Sequence, residues 1–550
     1  MKLVTADQMR ALEQRADASG NPYAMMMERA GKAVADAVIA RYGARAQRVL
    51  VLVGPGNNGG DGLVCARYLH DAGARVALYV WKRAERADDE NFKLCRERNI
   101  PVTRAEDDTN FFALKDFLAD ADILVDALLG TGVARPIDGL LKDLLNVIAR
   151  ETGRQGDREA GRQGDRETGR PGDKEHLVSL SPCFPLSRSP KIVAVDLPSG
   201  LNPDTGALDP ATLAADLTVT FAFPKIGQLR FPGANAVGEL VVADIGIPAE
   251  WADADALDVA TARDIAALVP PRPRDAHKGT FGKAMICAGS LNYVGAAFLA
   301  GAAATRAGAG LVTLALARTI YPMLASALHE TTFVVLPDEN GALVPAAAPV
   351  LLDHLSGYDA LLLGCGFGRH PHTITFVQSL ISNLQPPLSL VLDADALFAL
   401  AHIRDWWTHL APNRAILTPH PGEMATLTGV SRDAVQADRV TIAKKFAAQW
   451  QQVVVLKGAF TVIAAPDGRA TLLPFATPAL ATAGTGDVLA GTIVAMIAQG
   501  LNAYDAAIAG AYLHGLAGTL AEKDLGRAGV VAGDLLARLP LAIAQVKRET

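Results

Sequence analysis

Short apolar runs alternate with longer mixed segments along the first half of the chain. Runs of this kind are typical of buried strands, and the segments between them are typical of helices. Strands separated by helices favour a mostly parallel sheet covered on both faces, with the site formed by loops at the carboxyl ends of the strands. The runs predict strands at residues 48–53, 75–80, 123–126, 192–196, 217–223 and 239–242.

The second half of the chain repeats this organisation. Ala-rich segments predicted as helices separate most of its apolar runs, so a second layered α/β domain is expected. A chain of 550 residues is also too long for a single core, which agrees with two domains. The runs predict strands at residues 284–288, 311–314, 360–363, 388–392, 415–417, 453–456 and 461–464.

The pattern fails between the third and fourth predicted strands. A short unit rich in Gly, Arg, Asp and Glu begins at Gly153 and recurs with small changes at Gly161 and Gly169. Such a composition cannot bury a hydrophobic core, so we predict a disordered insertion over residues 151–190. A tolerated surface loop is favoured over a flexible binding arm, because the opposite charges of the unit nearly cancel.

Repeated prolines separate the two halves. Residues 270–274 read Pro-Pro-Arg-Pro-Arg, and proline both stiffens the backbone and removes a hydrogen-bond donor. We therefore predict a first domain over residues 1–250, a linker over residues 251–274 and a second domain over residues 275–550. Each domain is long enough to bury a core of its own.

The composition indicates which partners and which cellular location to expect. Hydrophobic residues make up 50% of the chain, charged residues 20%, and the formal net charge is −6, so no general field attracts DNA or RNA. The five cysteines have no paired spacing, which favours a reducing cytoplasm. Thr5 and Gln8 have the spacing of a capping box where an export signal would be apolar, so no export is expected. No apolar segment is long enough to suggest a membrane span.

A glycine-rich turn near the end of the chain carries specific chemistry. Residues 483–491 read Ala-Gly-Thr-Gly-Asp-Val-Leu-Ala-Gly and place Asp487 in the first turn of a predicted apolar helix. The free backbone N–H groups at a helix start attract phosphate oxygens. A carboxylate beside a phosphate is repulsive unless it does chemistry, most simply by taking the proton of a hydroxyl that attacks the phosphoryl group. The turn therefore predicts phosphoryl transfer to an alcohol, with Asp487 as the base.

A second loop of glycines and an acid follows the first predicted strand. Residues 57–62 read Asn-Asn-Gly-Gly-Asp-Gly, and the glycines allow a ligand to approach the backbone closely. The loop alone is also consistent with a tight structural turn. Asp126 and Asp196 stand at the ends of two further strands, and acids at successive strand ends meet at one rim of a parallel sheet. Together these loops predict a nucleotide-handling site.

The first half resembles the NAD(P)H-hydrate epimerase family, also called the YjeF N-terminal domain, over residues 1–248 outside the insertion. The motifs that carry the resemblance are residues 20–22, 57–62, 130–132, 196–200, 220–221 and 224–225. The resemblance implies a Rossmann-like three-layer fold, a K⁺ ion held by Asn58, Asp126 and Ser199, and proton transfer assisted by Asp196. It also implies that hydrated NADH or NADPH is bound by Asn57, Asn58, Gly59, Gly60, Asp61, Gly130, Thr131, Gly132, Val133, Ala134, Arg135, Pro136 and Asp196.

Further motifs of the second half lie next to predicted strands, where ligand sites of α/β domains form. Taken singly, His420 is equally consistent with a loop histidine, and Lys457 with a surface cation. Taken jointly with Asp487, they define a site. The motifs are residues 277–282, 393–397, 419–423 and 457–461.

This half resembles the ADP- or ATP-dependent NAD(P)H-hydrate dehydratase family, a branch of the ribokinase-like fold, from residue 276 onward. A phosphoryl group on the ring hydroxyl makes a good leaving group, after which the ring nitrogen expels phosphate and restores NADH or NADPH. Mg²⁺ on the phosphates of ADP or ATP is expected. The resemblance implies that Ala296, Gly368, His420 and Asp487 contact the hydrated nucleotide, and that Lys457, Gly458, Ala459, Phe460, Thr461 and Gly486 hold the adenine nucleotide.

The leading hypothesis is a bifunctional repair enzyme. Its first domain would epimerise the R and S forms of hydrated NADH or NADPH, and its second would dehydrate the S form at the expense of ADP or ATP. One alternative is a small-alcohol kinase, whose product would be a stable phosphate ester. Another makes the first half a non-catalytic ligand-binding or scaffold module, against which the intact Asp126 and Asp196 argue. We expect a cytoplasmic homo-oligomer.

Overall fold

The structure, a computed structural model, describes residues 1–84, 89–132, 135–154, 189–254, 256–384 and 388–548. By its internal contacts the chain divides into two units, Lys2–Ala256 and Leu257–Thr550. The predicted insertion over residues 151–190 falls almost entirely outside the described residues, and so do the predicted ligand residues Val133 and Ala134.

The first unit alternates helices and strands. Its strands are β1 (Arg48–Val53), β2 (Arg75–Val80), β3 (Val102–Arg104), β4 (Ile123–Ala127), β5 (Lys191–Val195), β6 (Leu217–Phe221) and β7 (Glu239–Ala243). Its helices are α1 (Ala6–Ala18), α2 (Tyr23–Tyr42), α3 (Asn57–Asp71), α4 (Glu90–Glu97), α5 (Phe112–Asp120), α6 (Gly139–Glu151) and α7 (Ala234–Val237).

The sheet of the first unit is parallel throughout. Within the described residues its seven strands follow the order β3-β2-β1-β4-β5-β6-β7. Strands β4 and β6 are buried along their whole length, as expected for strands of a parallel sheet that is covered on both faces. The order switches at β1, which has β2 on one side and β4 on the other, and ligand crevices form at the carboxyl ends of strands at such a switch.

The second unit is larger. Its strands are β8 (Asp258–Val259), β9 (Lys283–Cys287), β10 (Leu311–Ala317), β11 (Thr332–Leu336), β12 (Asp338–Glu339), β13 (Ala342–Leu343), β14 (Ala360–Leu363), β15 (Ser389–Leu392), β16 (Ala415–Leu417), β17 (Val453–Leu456), β18 (Val462–Ala464) and β19 (Ala470–Leu472). Its helices are α8 (Ala262–Leu268), α9 (Val294–Arg306), α10 (Tyr321–Ala325), α11 (Ala347–His354), α12 (Pro371–Asn383), α13 (Asp395–Leu400), α14 (Pro421–Thr428), α15 (Arg432–Ala437), α16 (Arg439–Trp450), α17 (Thr485–Ala498), α18 (Ala503–Leu525) and α19 (Ala532–Arg548).

The main sheet of the second unit is mixed. Over the part of the chain that the structure describes, its ten strands follow the order β11-β10-β9-β14-β15-β16-β17-β18-β19-β8. The strands from β11 to β17 pair in parallel, and β18 is antiparallel to both β17 and β19. Helix α17 is buried from Val488 to Ala498 and packs against α9, α18 and β14. Its neighbours therefore cover the apolar residues on every side of the helix.

The structure confirms the predicted fold class, with a Rossmann-like α/β unit followed by a ribokinase-like α/β unit. The capping box of α1 is present, because Thr5 and Gln8 exchange both hydrogen bonds. Residues 251–274, for which a linker is predicted, contain β8 and α8, and β8 pairs with β19 inside the second unit. Every helix within the described residues is too short or too polar to span a bilayer.

Candidate active sites

A buried polar cluster lies at the carboxyl ends of β4 and β5 in the first unit. The Ser199 hydroxyl donates to Oδ1 of Asp126 at 2.7 Å, and the Ser199 N–H donates to Oδ2 at 2.8 Å. The same hydroxyl accepts a bond from the N–H of Leu129, whose carbonyl accepts from Nδ2 of Asn58 at 3.0 Å. The structure therefore brings together Asn58, Asp126 and Ser199, the three residues predicted to hold a cation.

Asp126 is fully buried at the centre of this cluster. Burial raises the pKa of its carboxyl above the ordinary value, and the hydrogen bonds from Ser199 and Leu128 offset part of that rise. Among the described residues no cationic side chain contacts Asp126. A buried carboxylate with oxygen neighbours and no cationic partner is an arrangement that a bound hard cation would stabilise.

Asp196 is held rigidly where the chain leaves β5. Its φ of 60° is in the left-handed region, which costs a non-glycine residue free energy and marks a constrained position. Oδ1 accepts bonds from Nζ of Lys225 at 2.6 Å and from the Thr220 hydroxyl at 2.8 Å, and the main-chain carbonyl accepts from Nε2 of Gln228 at 2.8 Å. These contacts fix the carboxylate at the rim of the sheet, next to the start of α3.

The other residues predicted to bind the hydrated nucleotide surround this rim. Asn58, Gly59, Gly60 and Asp61 are buried in the first turns of α3, whereas Asn57 is exposed. A Cβ on Gly60 would come within 2.6 Å of Sδ of Met27, so a side chain here would require the end of the Met27 side chain to move. The rest of the predicted set lies on the loop after β4: Gly130 beside Asn58, Thr131 half-buried, and Gly132, Arg135 and Pro136 exposed.

In the second unit, the predicted base stands at the start of α17. Gly484 caps the helix with a φ of 91°, a conformation that glycine adopts without strain. Asp487 follows in the first turn, as predicted, and is half-buried. Burial raises the pKa of Asp487 to about 6, and the negative charge of Asp393 adds to the rise while the Cys365 thiol and Lys457 oppose it.

An ion pair joins the ends of neighbouring strands beside Asp487. Nζ of Lys457, after β17, donates to Oδ1 of Asp393, after β15, at 2.7 Å. The hydroxyl of Thr418, after β16, donates to the same oxygen at 2.7 Å. One oxygen each of Asp393 and Asp487 and the sulfur of Cys365 lie within 4.8 Å of one another. Three consecutive strand ends therefore converge on one anionic cluster with a single lysine inside it.

His420 and Glu423 extend the cluster towards a cavity. Nδ1 of His420 accepts from the N–H groups of Gly422 and Glu423, so the imidazole caps helix α14. The Glu423 carboxylate accepts from the His420 N–H at 2.7 Å and lies 3.6 Å from Nζ of Lys457. The capping geometry explains the position of His420, and the exposed ring edge stays available to a ligand.

A cavity of about 140 Å³ opens beside this helix start. Its lining includes Arg369, Asp395, Phe398, His420 and Glu423. Gly368 lies at its edge, since its N–H donates to Oδ2 of Asp395 at 2.8 Å. The predicted ligand residue Ala296 packs close to Gly366, where an added Cβ would come within 2.7 Å of the alanine Cβ.

The loop predicted to hold the adenine nucleotide is fixed from beneath by Arg439. The Arg439 guanidinium donates to the carbonyl of Leu456 at 2.8 Å and to that of Ala459. A Cβ on Gly458 would come within 2.9 Å of that guanidinium, so the backbone passes directly over it. Gly486 faces the same region, because a Cβ there would lie 3.7 Å from Nζ of Lys457. Lys457, Gly458 and Gly486 are therefore close together in the structure.

Sequence reasoning did not assign site roles to Cys365, Asp393, Glu423 and Lys225. Asp393 and Glu423 belong to motifs at strand ends, so their position carried a signal. Cys365 gave none, because an isolated cysteine in a glycine-rich turn has no diagnostic spacing. Lys225 stands far from Asp196 in sequence, and only the parallel pairing of β5 and β6 brings the two together.

Comparisons with known proteins agree across the whole chain. Residues 284–541 match the family model for NAD(P)H-hydrate dehydratase, and residues 23–227 match that for the YjeF-related protein N-terminus. The chain is 38% identical to the bifunctional NAD(P)H-hydrate repair enzyme Nnr of Moorella thermoacetica, over 100% of this chain and 98% of that protein. It is 33% identical to the Nnr of Thermofilum pendens, over 100% and 97% respectively. A solved ADP/ATP-dependent NAD(P)H-hydrate dehydratase from Bacillus subtilis is 32% identical and covers 53% of this chain and 99% of its own, with a TM-score of 0.45.

Proposed function

Since the chain belongs to the family of bifunctional NAD(P)H-hydrate repair enzymes, we propose that Asp487 is the base of its dehydratase and that Asp196 moves a proton in its epimerase. The epimerase domain interconverts the R and S forms of hydrated NADH and NADPH, and the dehydratase domain returns the S form to NADH or NADPH. The alternative of a small-alcohol kinase is not favoured, because relatives match both domains over the full chain.

The observation that carries the dehydratase proposal is the place of Asp487. The carboxylate stands in the first turn of α17, where free backbone N–H groups attract phosphate, and its surroundings raise its pKa to about 6. Asp487 takes the proton of the ring hydroxyl while the hydroxyl oxygen attacks the terminal phosphoryl group of ADP or ATP. The N–H groups of residues 484–486 stabilise the charge that develops on the transferred group.

Expulsion of phosphate completes the dehydration. The lone pair of the ring nitrogen forms a C=N bond as the C–O bond breaks and inorganic phosphate leaves. Loss of a proton from the neighbouring ring carbon then restores the dihydropyridine. Phosphorylation matters because phosphate is a far better leaving group than hydroxide, and the nucleotide therefore supplies the driving force for the elimination.

Lys457 and Gly486 are proposed to hold the phosphates of the adenine nucleotide, with residues 458–461 against the rest of it. Burial lowers the pKa of Lys457, but the charges of Asp393 and Glu423 outweigh this effect and keep the group cationic. Mg²⁺ is expected on the nucleotide phosphates, where it would offset their charge. Asp393 would offer Oδ2 to such an ion, because Oδ1 accepts from Lys457 and Thr418 and Oδ2 accepts only from the Cys365 thiol, at 3.7 Å.

Asn58, Asp126 and Ser199 are proposed to hold K⁺ in the epimerase domain. Their oxygens suit a hard cation, and the buried charge of Asp126 has no cationic partner among the described residues. A bound cation would fix the loop after β4 against α3 and place positive charge beside the nucleotide. Asp196 lies at the same rim and would exchange a proton with the hydroxyl-bearing carbon's oxygen as the bond opens and closes.

The predictions of a cytoplasmic location and of a homo-oligomer are kept as proposals. Cys65, Cys95, Cys287 and Cys365 are buried free thiols, which suits a reducing compartment. Size-exclusion chromatography with light scattering tests the oligomer directly, and a single species of 57.6 kDa would contradict it.

Product analysis tests the proposed function. The protein is incubated with hydrated NADH, Mg²⁺ and either ADP or ATP while absorbance of regenerated NADH is followed and phosphorus NMR identifies the products. We expect NADH and inorganic phosphate in equal amounts, with R and S epimers both consumed. Accumulation of a stable phosphate ester without NADH would instead identify a kinase. Consumption of the S form alone would show that the first domain does not epimerise.

A further inference from the structure

The two oxygens of the Asp196 carboxylate have different surroundings. Oδ1 accepts from both Lys225 and Thr220, and within the described residues Oδ2 accepts no hydrogen bond. Lys225 is only 1% exposed, and its Nζ also donates to the Thr220 hydroxyl at 2.8 Å and the Phe221 carbonyl at 3.3 Å. A fully bonded, buried ammonium at this distance stabilises negative charge on Asp196. Asp196 is thereby prepared to accept a proton at Oδ2.

Asp61 has the opposite surroundings. It lies on α3 at the same rim, is 9% exposed, and its carboxyl makes no hydrogen bond or ion pair with any residue that the structure describes. Burial raises the pKa of Asp61 well above its ordinary value, and the negative charges of Asp196 and Glu13 add to this, whereas Arg83 and Lys225 oppose it. A buried carboxyl without a donor is stable as the neutral acid. Asp61 is thereby prepared to give a proton.

Two carboxyl groups of one site with contrasting surroundings are a recurring basis for acid and base roles. We propose that Asp61 and Asp196 form the two-residue proton-transfer pair of the epimerase, and that Lys225 positions the Asp196 carboxylate. This inference rests on the proposed function of the first domain and adds to it the proton donor and the positioning cation.

The chemistry balances with water as the only co-reactant. Asp61 gives its proton to the ring hydroxyl, the C–O bond breaks, water leaves, and the ring nitrogen's lone pair becomes a C=N bond. Water then adds to the other face of the ring carbon and loses its proton to Asp196. The reverse reaction moves the proton from Asp196 back to Asp61 by the same steps. After a turnover, proton exchange with solvent water returns Asp61 to its protonated form and Asp196 to its ionised form.

The test measures epimer exchange by NMR against pH, in the full chain and corrected for the uncatalysed rate. In the wild type, Asp61 must be protonated to act as the donor, so kcat/KM should fall as the pH rises through the raised pKa of Asp61 and give a basic limb. Asp61→Asn keeps the size of the side chain but carries no acidic proton. We expect it to lower kcat about 100-fold or more with a small change in KM and to abolish the basic limb, and Asp61→Glu should restore part of both.

Two further variants test separately the charge near Asp61 and the positioning of Asp196. Glu13→Gln removes a charge that raises the pKa of Asp61, so the basic limb should move to lower pH without being lost. Lys225→Met should lower kcat more than it changes KM, because the Asp196 carboxylate loses the contact that fixes it at the rim. Thermal unfolding of each variant, compared with the wild type, excludes loss of folding as the cause.

The outcomes distinguish this inference from the function on which it rests. If Asp61→Asn keeps the wild-type rate and pH profile, Asp61 is not the donor and the inference is overturned while the epimerase stands. A folded Lys225→Met protein with the wild-type kcat would overturn the role given to Lys225. Absence of any exchange in the folded wild-type protein would overturn the proposed function itself.

Discussion

Lys457 and Asp393 form an ion pair inside the dehydratase domain, with Nζ 2.7 Å from Oδ1 and side chains that are 18% and 2% exposed. The two residues end β17 and β15, and Thr418, which donates to the same oxygen, ends the strand between them. The pair thus ties three consecutive parallel strands together beside Asp487. Its position makes it both a structural contact and part of the candidate site.

Removing only the lysine of this pair should lower the free energy of unfolding considerably. Lys457→Met leaves the Asp393 carboxylate buried without a cation, which typically costs about 3–5 kcal/mol. We expect urea unfolding followed by circular dichroism to show a loss of this size for the second domain. The double variant Lys457→Met/Asp393→Asn should recover most of it, since the charge is then absent. A single variant within about 1 kcal/mol of the wild type would contradict the account.

The pH dependence of dehydration should report Asp487. A base acts when deprotonated, so kcat/KM for the S form should rise with pH through about 6 and level off above. The Cys365 thiol donates to Oδ2 of Asp393 at 3.7 Å and also opposes the rise in the pKa of Asp487, so Cys365→Ala should raise that pKa and move the limb to higher pH. Cys365→Ser keeps a donor and serves as the matched control. An identical limb in wild type and Cys365→Ala would show that the thiol does not act on Asp487.

Two glycines of one turn should respond differently to the same substitution. Gly484→Ala forces a Cβ onto a residue with a φ of 91° and should cost about 1–2 kcal/mol of unfolding free energy. Gly486→Ala meets only an ordinary contact, 3.7 Å from Nζ of Lys457, so stability should stay within about 0.5 kcal/mol. Its methyl group would nevertheless face the phosphates, and the KM for the nucleotide should rise about tenfold or more. Equal nucleotide KM values for Gly486→Ala and wild type would remove Gly486 from the nucleotide site.

Removal of the buried charge of Asp126 should abolish the response to K⁺. Binding to the folded state stabilises it by mass action, so the wild-type melting temperature in excess K⁺ should exceed that in choline by several degrees. Asp126→Asn should show no such difference and should lose K⁺ stimulation of epimer exchange. Asp120→Asn, which changes an exposed acid of the same domain, should behave like the wild type. A K⁺ effect that survives in Asp126→Asn would place the ion elsewhere.

Much of the fold follows from the apolar runs. The central strands β4, β14 and β17 are buried on both faces, and their uninterrupted Val, Ile and Leu runs predict them directly. Strands β3 and β11 escape prediction because they lie at sheet edges, where half-exposed residues replace the continuous pattern.

The segment before the prolines contains a helix-start motif in its sequence. Thr261 and Asp264 form a capping box that starts α8, and the prolines begin only after this helix ends. The strand β8 before it is too short to be recognised from periodicity, because its pairing with β19 depends on tertiary contacts. The predicted linker over residues 251–274 rests on the prolines at residues 270–274, which follow the helix.

In the two sites, local motifs predict some of the residues, whereas others come close only through the order of the strands. Motifs at strand ends identify Asp126, Asp196 and Lys457, because the carboxyl ends of parallel strands meet at one rim of each sheet. The glycine-rich turn at a helix start identifies Asp487. The partners that tune these residues come from other strands, so the contact of Lys225 with Asp196 depends on sheet order and has no signature in either motif.

Asp487→Asn provides the most direct measurement of the central claim, that one carboxylate takes the hydroxyl proton during phosphoryl transfer. NADH recovery from the S form with ADP or ATP and Mg²⁺ is compared with R–S epimer exchange in the same preparation. We predict that recovery falls by about 100-fold or more, that nucleotide binding measured by calorimetry persists, and that epimer exchange is unchanged. Recovery of NADH at the wild-type rate by a folded Asp487→Asn protein would contradict the account.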